Sequence, residues 1–190
     1  MKTIAISLKI FLFFTVLTGV AYPLFITGIA QLVFPTKANG SIITINQKPI
    51  GSMLIGQQFD SSIYFDSRPS AISYNPLPSG GSNYGLTSTK LKELVQERRN
   101  HFLKFNNLNS HTDVPSEMLF ASASGLDPHI SPQAALLQVN RIAKARNYST
   151  VQKQELLHKL DSLIEPPQFI CLGEPRVNVL LLNLETDKIK

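Results

Sequence analysis

The chain has 190 residues, enough for one domain with a core of its own and an additional segment. Its 18 Lys and Arg against 13 Asp and Glu give a net charge of +5. Lys2 and Lys9 supply part of that excess, and the remainder is too weakly basic for nucleic acid, which demands clustered positive charge. The single cysteine, Cys171, excludes an intramolecular disulfide and a cysteine-based metal site.

No charged residue falls between Lys9 and Lys37. Ile10–Phe34 therefore predicts a transmembrane helix, which needs about 20 apolar residues and here would measure roughly 37 Å. Gly19, Pro23 and Gly28 would weaken a soluble helix but are tolerated in lipid, and Pro23 predicts a kink. A signal peptide cleaved after Gly19-Val20-Ala21 is the rival reading. The apolar run continues through Tyr22–Phe34, well past a normal signal core, and favours retention. Lys2, Lys9 and the terminal amine lean toward a cytoplasmic N-terminus, although Lys37 and Lys48 nearly balance them. The expected division is a short tail over residues 1–9, a membrane helix over 10–34 and a soluble domain over 37–190.

Within that domain, Ser41–Ile45 and Ser52–Ile55 predict a hairpin around Asn46-Gln47-Lys48-Pro49. Residues 66–85 are dense in proline and glycine and predict a long irregular loop. A helix follows from Thr87 or Ser88, with Leu91, Leu94, Val95, Phe102 and Phe105 on one face, and ends at Asn106-Asn107. Ser131 as N-cap and Pro132 at the first helical position open a second helix, with Ala134–Arg146 as its interior. Ser149 and Gln152 form a capping box for a third. Its buried face is Leu156, Leu157, Leu160, Leu163 and Ile164, and Pro166-Pro167 stops it. Phe169–Leu172 and Val177–Leu184 read as closing strands around Gly173-Glu174-Pro175-Arg176. The order strands, helices, strands gives an α+β domain with about three helices.

Ser79-Gly80-Gly81-Ser82-Asn83 is the most glycine-dense stretch, and such loops can turn backbone N–H groups onto an anion. It is neither a Walker loop nor a dinucleotide fingerprint, so a plain tight loop is the simpler reading. Asp127-Pro128-His129 sets a carboxylate beside an imidazole and, with Ser124, forms a hydrolase candidate; Ser122 and Ser131 are further hydroxyls. No Gly-x-Ser-x-Gly elbow accompanies them, and His101, His111 and His158 show no helical pairing that would hold a metal. Arg176 is expected to pair with Glu174 or a neighbour. Lys90, Lys92, Arg98, Arg99 and Lys104 alternate with Glu93 and Glu97, the pattern of a solvated helix face. The residues alone describe a membrane-anchored domain without catalytic machinery, suited to an accessory or interaction role.

Five stretches carry a family resemblance: Leu54-Ile55-Gly56-Gln57, Tyr64 to Ala71 (YFDSRPSA), Ser79 to Asn83, Ala121 to Pro132 (ASASGLDPHISP) and Leu172 to Leu180 (LGEPRVNVL). With the N-terminal span, their ordered set resembles the C subunit of the Kdp potassium-transporting ATPase of bacteria over nearly the whole chain. Two departures concern loop shape: Tyr84-Gly85-Leu86 replaces a usual aliphatic–glycine–proline, and Ala123 a usual glycine. The resemblance implies a non-catalytic subunit of a four-subunit uptake pump in the bacterial inner membrane. Its partners would be a channel-like potassium-binding subunit, a P-type ATPase subunit that hydrolyses ATP, and a small membrane peptide. The family is described as an assembly factor or catalytic chaperone that raises the ATPase subunit's affinity for ATP. It also implies one membrane helix, a cytoplasmic N-terminus and an extracytoplasmic domain.

By the same resemblance, Gln138 and Arg141 match a motif proposed to contact nucleotide, and Ser79, Gly80, Gly81 and Ser82 lie in a loop loosely similar to the ABC-transporter signature. A domain outside the membrane does not meet cytoplasmic ATP, so two readings stand. In one, ATP is reached only through the complex and the subunit acts by bracing its partners. In the other, the domain is a cytoplasm-facing regulator that binds nucleotide directly. Gln138 and Arg141, three apart on a predicted helix, could equally cover a core edge.

Overall fold

A computed structural model describes residues 2–190, which fall into two units divided between Ser52 and Met53.

The first unit opens with α1 (Lys2–Val16) and α2 (Tyr22–Val33), joined without a break by a π-helical turn, Leu17–Ala21. Lys2–Val33 is long and apolar enough to cross a membrane, and none of its side chains is buried. The helical backbone begins at Lys2. Pro23 explains the wide turn. Its ring crowds the carbonyl four residues back and it has no N–H to give, and the backbone relaxes so that the Tyr22 N–H donates to the Leu17 carbonyl, five residues back. The Thr15 and Thr18 hydroxyls donate to the Phe11 and Phe14 carbonyls at 2.8 and 2.7 Å, which satisfies them where no water would be present.

After the short α3 (Pro35–Ala38), β1 (Ile42–Ile45) and β2 (Lys48–Ser52) form an antiparallel hairpin. The predicted four-residue turn is corrected to two. Asn46 and Gln47 both take positive φ, 50° and 63°, as a tight primed turn requires. Ile45 therefore pairs with Lys48, and the return strand begins at Lys48 rather than Ser52. A register shift between Ile43 and Thr44 accommodates Pro49, the usual place for a proline in a strand.

The second unit runs Met53–Lys190. From Met53 to Ser88 it contains no helix or strand. Then come α4 (Thr89–Phe105), a 3-10 turn at Ser116–Met118, β3 (His129–Ile130), α5 (Pro132–Ala145), α6 (Thr150–Ser162), β4 (Val177–Asn178) and α7 (Val179–Thr186). The three predicted helix starts hold: Ser88 accepts from the Leu91 N–H, Ser131 from Ala134, and Ser149 and Gln152 close a reciprocal box. Asn107 and Asn147, in left-handed conformation, follow the ends of α4 and α5. Phe102, Val139, Ile142, Leu156, Leu160 and Leu182 meet in one core around Phe65, which is fully buried.

The closing region differs from the expectation. Val177–Leu184 is not a strand: only Val177 and Asn178 pair, antiparallel to Ile130 and His129. At Asn178 the side chain accepts from the Leu181 N–H at 3.2 Å and starts α7. The unit thus has four α-helices beside its short strands, in keeping with the expected α+β domain of about three helices. Phe169–Leu172 is likewise no strand. It is the tip of a turn closed by the Gln168–Leu172 and Glu165–Arg176 bridges.

Candidate functional site

The five motif stretches, scattered along the sequence, are bonded to one another in the second unit. The Gly56 N–H donates to the Leu126 carbonyl at 2.7 Å, and a Cβ on Gly56 would lie 2.7 Å from the Asp127 carbonyl oxygen. Only glycine allows that approach. The Gly80 N–H and the Ser79 hydroxyl both donate to the Ser124 carbonyl, at 3.1 and 2.9 Å. Gly125, at φ +71°, has no room for a side chain between Ile72 and the Gly80 carbonyl. Val179 donates its N–H to Pro128, and the Asn178 amide donates to the Met53 carbonyl. The Gly80 N–H of the predicted anion loop is thus taken up by a protein carbonyl.

The Asp127 side chain is the polar centre of this region. Arg68 donates to one carboxylate oxygen at 2.6 Å, and the other faces the His129 Nδ1 at 3.3 Å and accepts the His129 N–H at 3.0 Å. Burial opposes the charge, but these donors outweigh it and hold the carboxyl at about 2. An open cleft of about 620 Å³ passes Arg68, Glu117, Asp127, His129 and Arg176. The hydroxyls expected as nucleophiles have local structural partners. Ser122 accepts from the Asp127 N–H, Ser124 from Leu126 and Ser131 from the first turn of α5. Arg176 pairs with Glu165 at 3.0 Å. Among the described residues, no group of three His, Cys, Asp or Glu is placed to hold a metal.

Gln138 and Arg141 lie elsewhere on α5, buried at 0 % and 5 % exposure. The Arg141 guanidinium donates to the Asn106 side chain at 2.8 Å, the Ser62 carbonyl at 2.6 Å, Asp66 at 3.2 Å and the Gln138 side-chain Oε1 at 3.0 Å. It also stacks over the Phe105 ring, 4.4 Å from the centroid. Gln138 accepts the Asp66 N–H at 2.8 Å and donates to the Ala134 carbonyl. The pair therefore ties the irregular segment to α4 and α5. Burial is the largest influence on Asp66 and lifts its carboxyl to about 6 despite the Arg141 charge, with Asp60 adding to the rise.

A further clamp escaped the sequence reading. The Asn183 amide accepts the buried Phe65 N–H at 2.7 Å and donates to the Phe65 carbonyl at 3.0 Å. A polar residue in the run VLLLNL was the available signal. Its meaning depends on what packs against it, which the run does not contain.

A family model described as KdpC, the c chain of the K+-transporting ATPase, matches residues 4–188. The chain belongs to this family. The potassium-transporting ATPase KdpC subunit of Caldanaerobacter subterraneus is 46% identical over 94% of this chain and 91% of that protein. Those of Leptospira interrogans and Geotalea uraniireducens are 42% and 45% identical over 98% and 100% of this chain, and over 94% and 99% of their own lengths. Membership of a membrane pump family, with one helix fit to span, makes this chain a single-pass membrane protein.

Proposed function

We propose that the chain is a non-catalytic accessory subunit of the potassium-transporting ATPase that stabilises its assembly and acts on the ATPase indirectly. The observation that carries this reading is the use made of the family motifs. Their backbone and side-chain groups bind one another, and Gln138 and Arg141 are enclosed in the same scaffold. Such a scaffold presents a rigid surface rather than a reaction centre.

The membrane helix anchors the chain, with its N-terminus in the cytoplasm and residues 37–190 outside. There the domain braces the channel-like subunit, and the small peptide and the P-type ATPase subunit complete the assembly. Any rise in ATP affinity then comes from a bias between pump conformations, which requires different contacts in two states. For a nucleotide to reach Gln138 and Arg141 directly, their bonds to Ser62, Asp66 and Asn106 would have to open.

Topology and binding test this together. A Leu86→Cys, Cys171→Ser chain should react with a membrane-impermeant maleimide in intact cells, because residue 86 is 91% exposed. Protection in intact cells with labelling after lysis would place the domain inside and sink the indirect reading. Full-length chain in detergent should show no saturable ATP binding, and removal of residues 1–36 should abolish potassium uptake.

A further inference from the structure

The bridged turn between Glu165 and Arg176 carries the one contiguous apolar tip of the second unit. Phe169 is 85% exposed, Ile170 93% and Leu172 59%, and Cys171 between them is exposed as well. Along the chain, the other large apolar side chains exposed in this unit come singly or in pairs, which is ordinary for a soluble surface. A run of three at the end of a stalk is not.

The stalk is firmly built. Glu165 and Arg176 exchange both backbone hydrogen bonds, at 2.8 and 3.1 Å, and their side chains pair at 3.0 Å. Gln168 and Leu172 exchange two more, each 2.9 Å. Beyond the Gln168–Leu172 rung, at the tip, Phe169 and Ile170 are held at φ +52° and +71°. A left-handed backbone is unusual for any side chain and a true outlier for a β-branched one. Such conformations persist where a particular display of side chains is needed.

We infer that the Phe169–Leu172 tip plugs into an apolar socket on another protein chain of the pump, with a neutral or basic mouth. This rests on the subunit reading above and gives it a contact surface. Two features select that occupant. Within the hairpin the charges are Glu165, Glu174 and Arg176, and Arg176 is already paired with Glu165. An unbalanced Glu174 at the rim opposes an anionic lipid surface, which favours Lys and Arg beside an inserting tip, and suits a basic rim instead. A second copy is disfavoured by area. Three side chains offer a few hundred Å², so a symmetric tip-to-tip contact falls short of the roughly 1,200 Å² that a stable interface buries. Within a larger subunit contact, a few anchors seated in pockets carry most of the binding energy, a role that three side chains can fill.

Cys171 reports on this directly. In the purified assembled pump its alkylation by a maleimide should be at least tenfold slower than in the same chain alone in the same detergent. A photo-crosslinking residue at Ile170 should form an adduct with another pump chain. Phe169→Asp combined with Ile170→Asp should reduce co-purification of the pump at least tenfold while leaving the unfolding temperature of the isolated chain unchanged, and Val151→Asp, equally exposed on α6, should do neither. Equal Cys171 rates in the two forms would overturn the inference, as would an adduct with lipid or with a second copy. If the unaltered chain does not co-purify with the pump at all, the subunit reading has failed. If it does co-purify with the tip still open, only this inference has.

Discussion

Met53–Ser88 and the helix pair α5–α6 lie in the same unit but are held by different forces. The helices satisfy their own backbone and dock through Ile142, Leu156 and Leu160, a largely apolar contact. The irregular segment has no ladder of its own. Its path is fixed at a few points by side chains from elsewhere: Arg141 on Ser62, Gln138 on Asp66, Asn183 on Phe65, and the Arg146 guanidinium on the Ile63 carbonyl at 2.8 Å. An apolar contact loses strength in proportion to the volume removed, whereas a point clamp fails at once, because deleting it leaves buried polar groups without partners.

Arg141→Met tests the clamp side most severely. It strips a part-buried Asp66 of its charge partner and leaves the Ser62 carbonyl and Asn106 side chain short of a donor, a loss of about 3–5 kcal/mol. Limited proteolysis should then cut within residues 53–88 well below the global melting point. Asn183→Leu removes the partners of both the Phe65 N–H and the Phe65 carbonyl and should cost about 3 kcal/mol, with the same early cleavage. On the helix side, Leu156→Ala opens a cavity at a fully buried position and should cost about 2–4 kcal/mol. Here proteolysis and thermal unfolding should coincide. If Leu156→Ala also frees residues 53–88 first, the two regions are not distinct in the way described.

The smallest effect is in pH. Asp66 binds its proton more tightly folded, at about 6, than unfolded, near 3.8. Its contribution to stability is therefore fully present below 3.8 and is lost as pH rises through about 6. Asp127 behaves oppositely: held at about 2, it contributes above 3.8 and loses that as pH falls through about 2. Wild-type stability should decline by roughly 1–3 kcal/mol across the upper window. Denaturant melts of Asp66→Asn should show that slope removed, and an unchanged slope would assign it to another group.

Helix starts were legible because the information is local. Ser88, Ser131 with Pro132, and Ser149 with Gln152 each bond a backbone group within three residues, so the signal and its partner share one short window. The resemblance identified the family in the same way, from contiguous motifs. Val177–Leu184 reads as a strand because a short apolar run does not separate strand from buried helix, and Phe169–Leu172 because its apolar side chains give no sign that they stand in an exposed turn. Asn178 decides the first case, as a cap that also reaches Met53.

The charge-free span between Lys9 and Lys37, the helix caps and the family follow from the order of residues. In each, the deciding groups are neighbours along the chain or need only a uniform apolar surrounding. Tertiary structure alone decided that Gln138 and Arg141 face inward, that the glycines at 56 and 125 are places of close approach, and that an apolar tip stands clear at residues 169–172. Those outcomes depend on which distant groups meet, and burial of a polar side chain becomes favourable only when partners from other segments are in place to satisfy it.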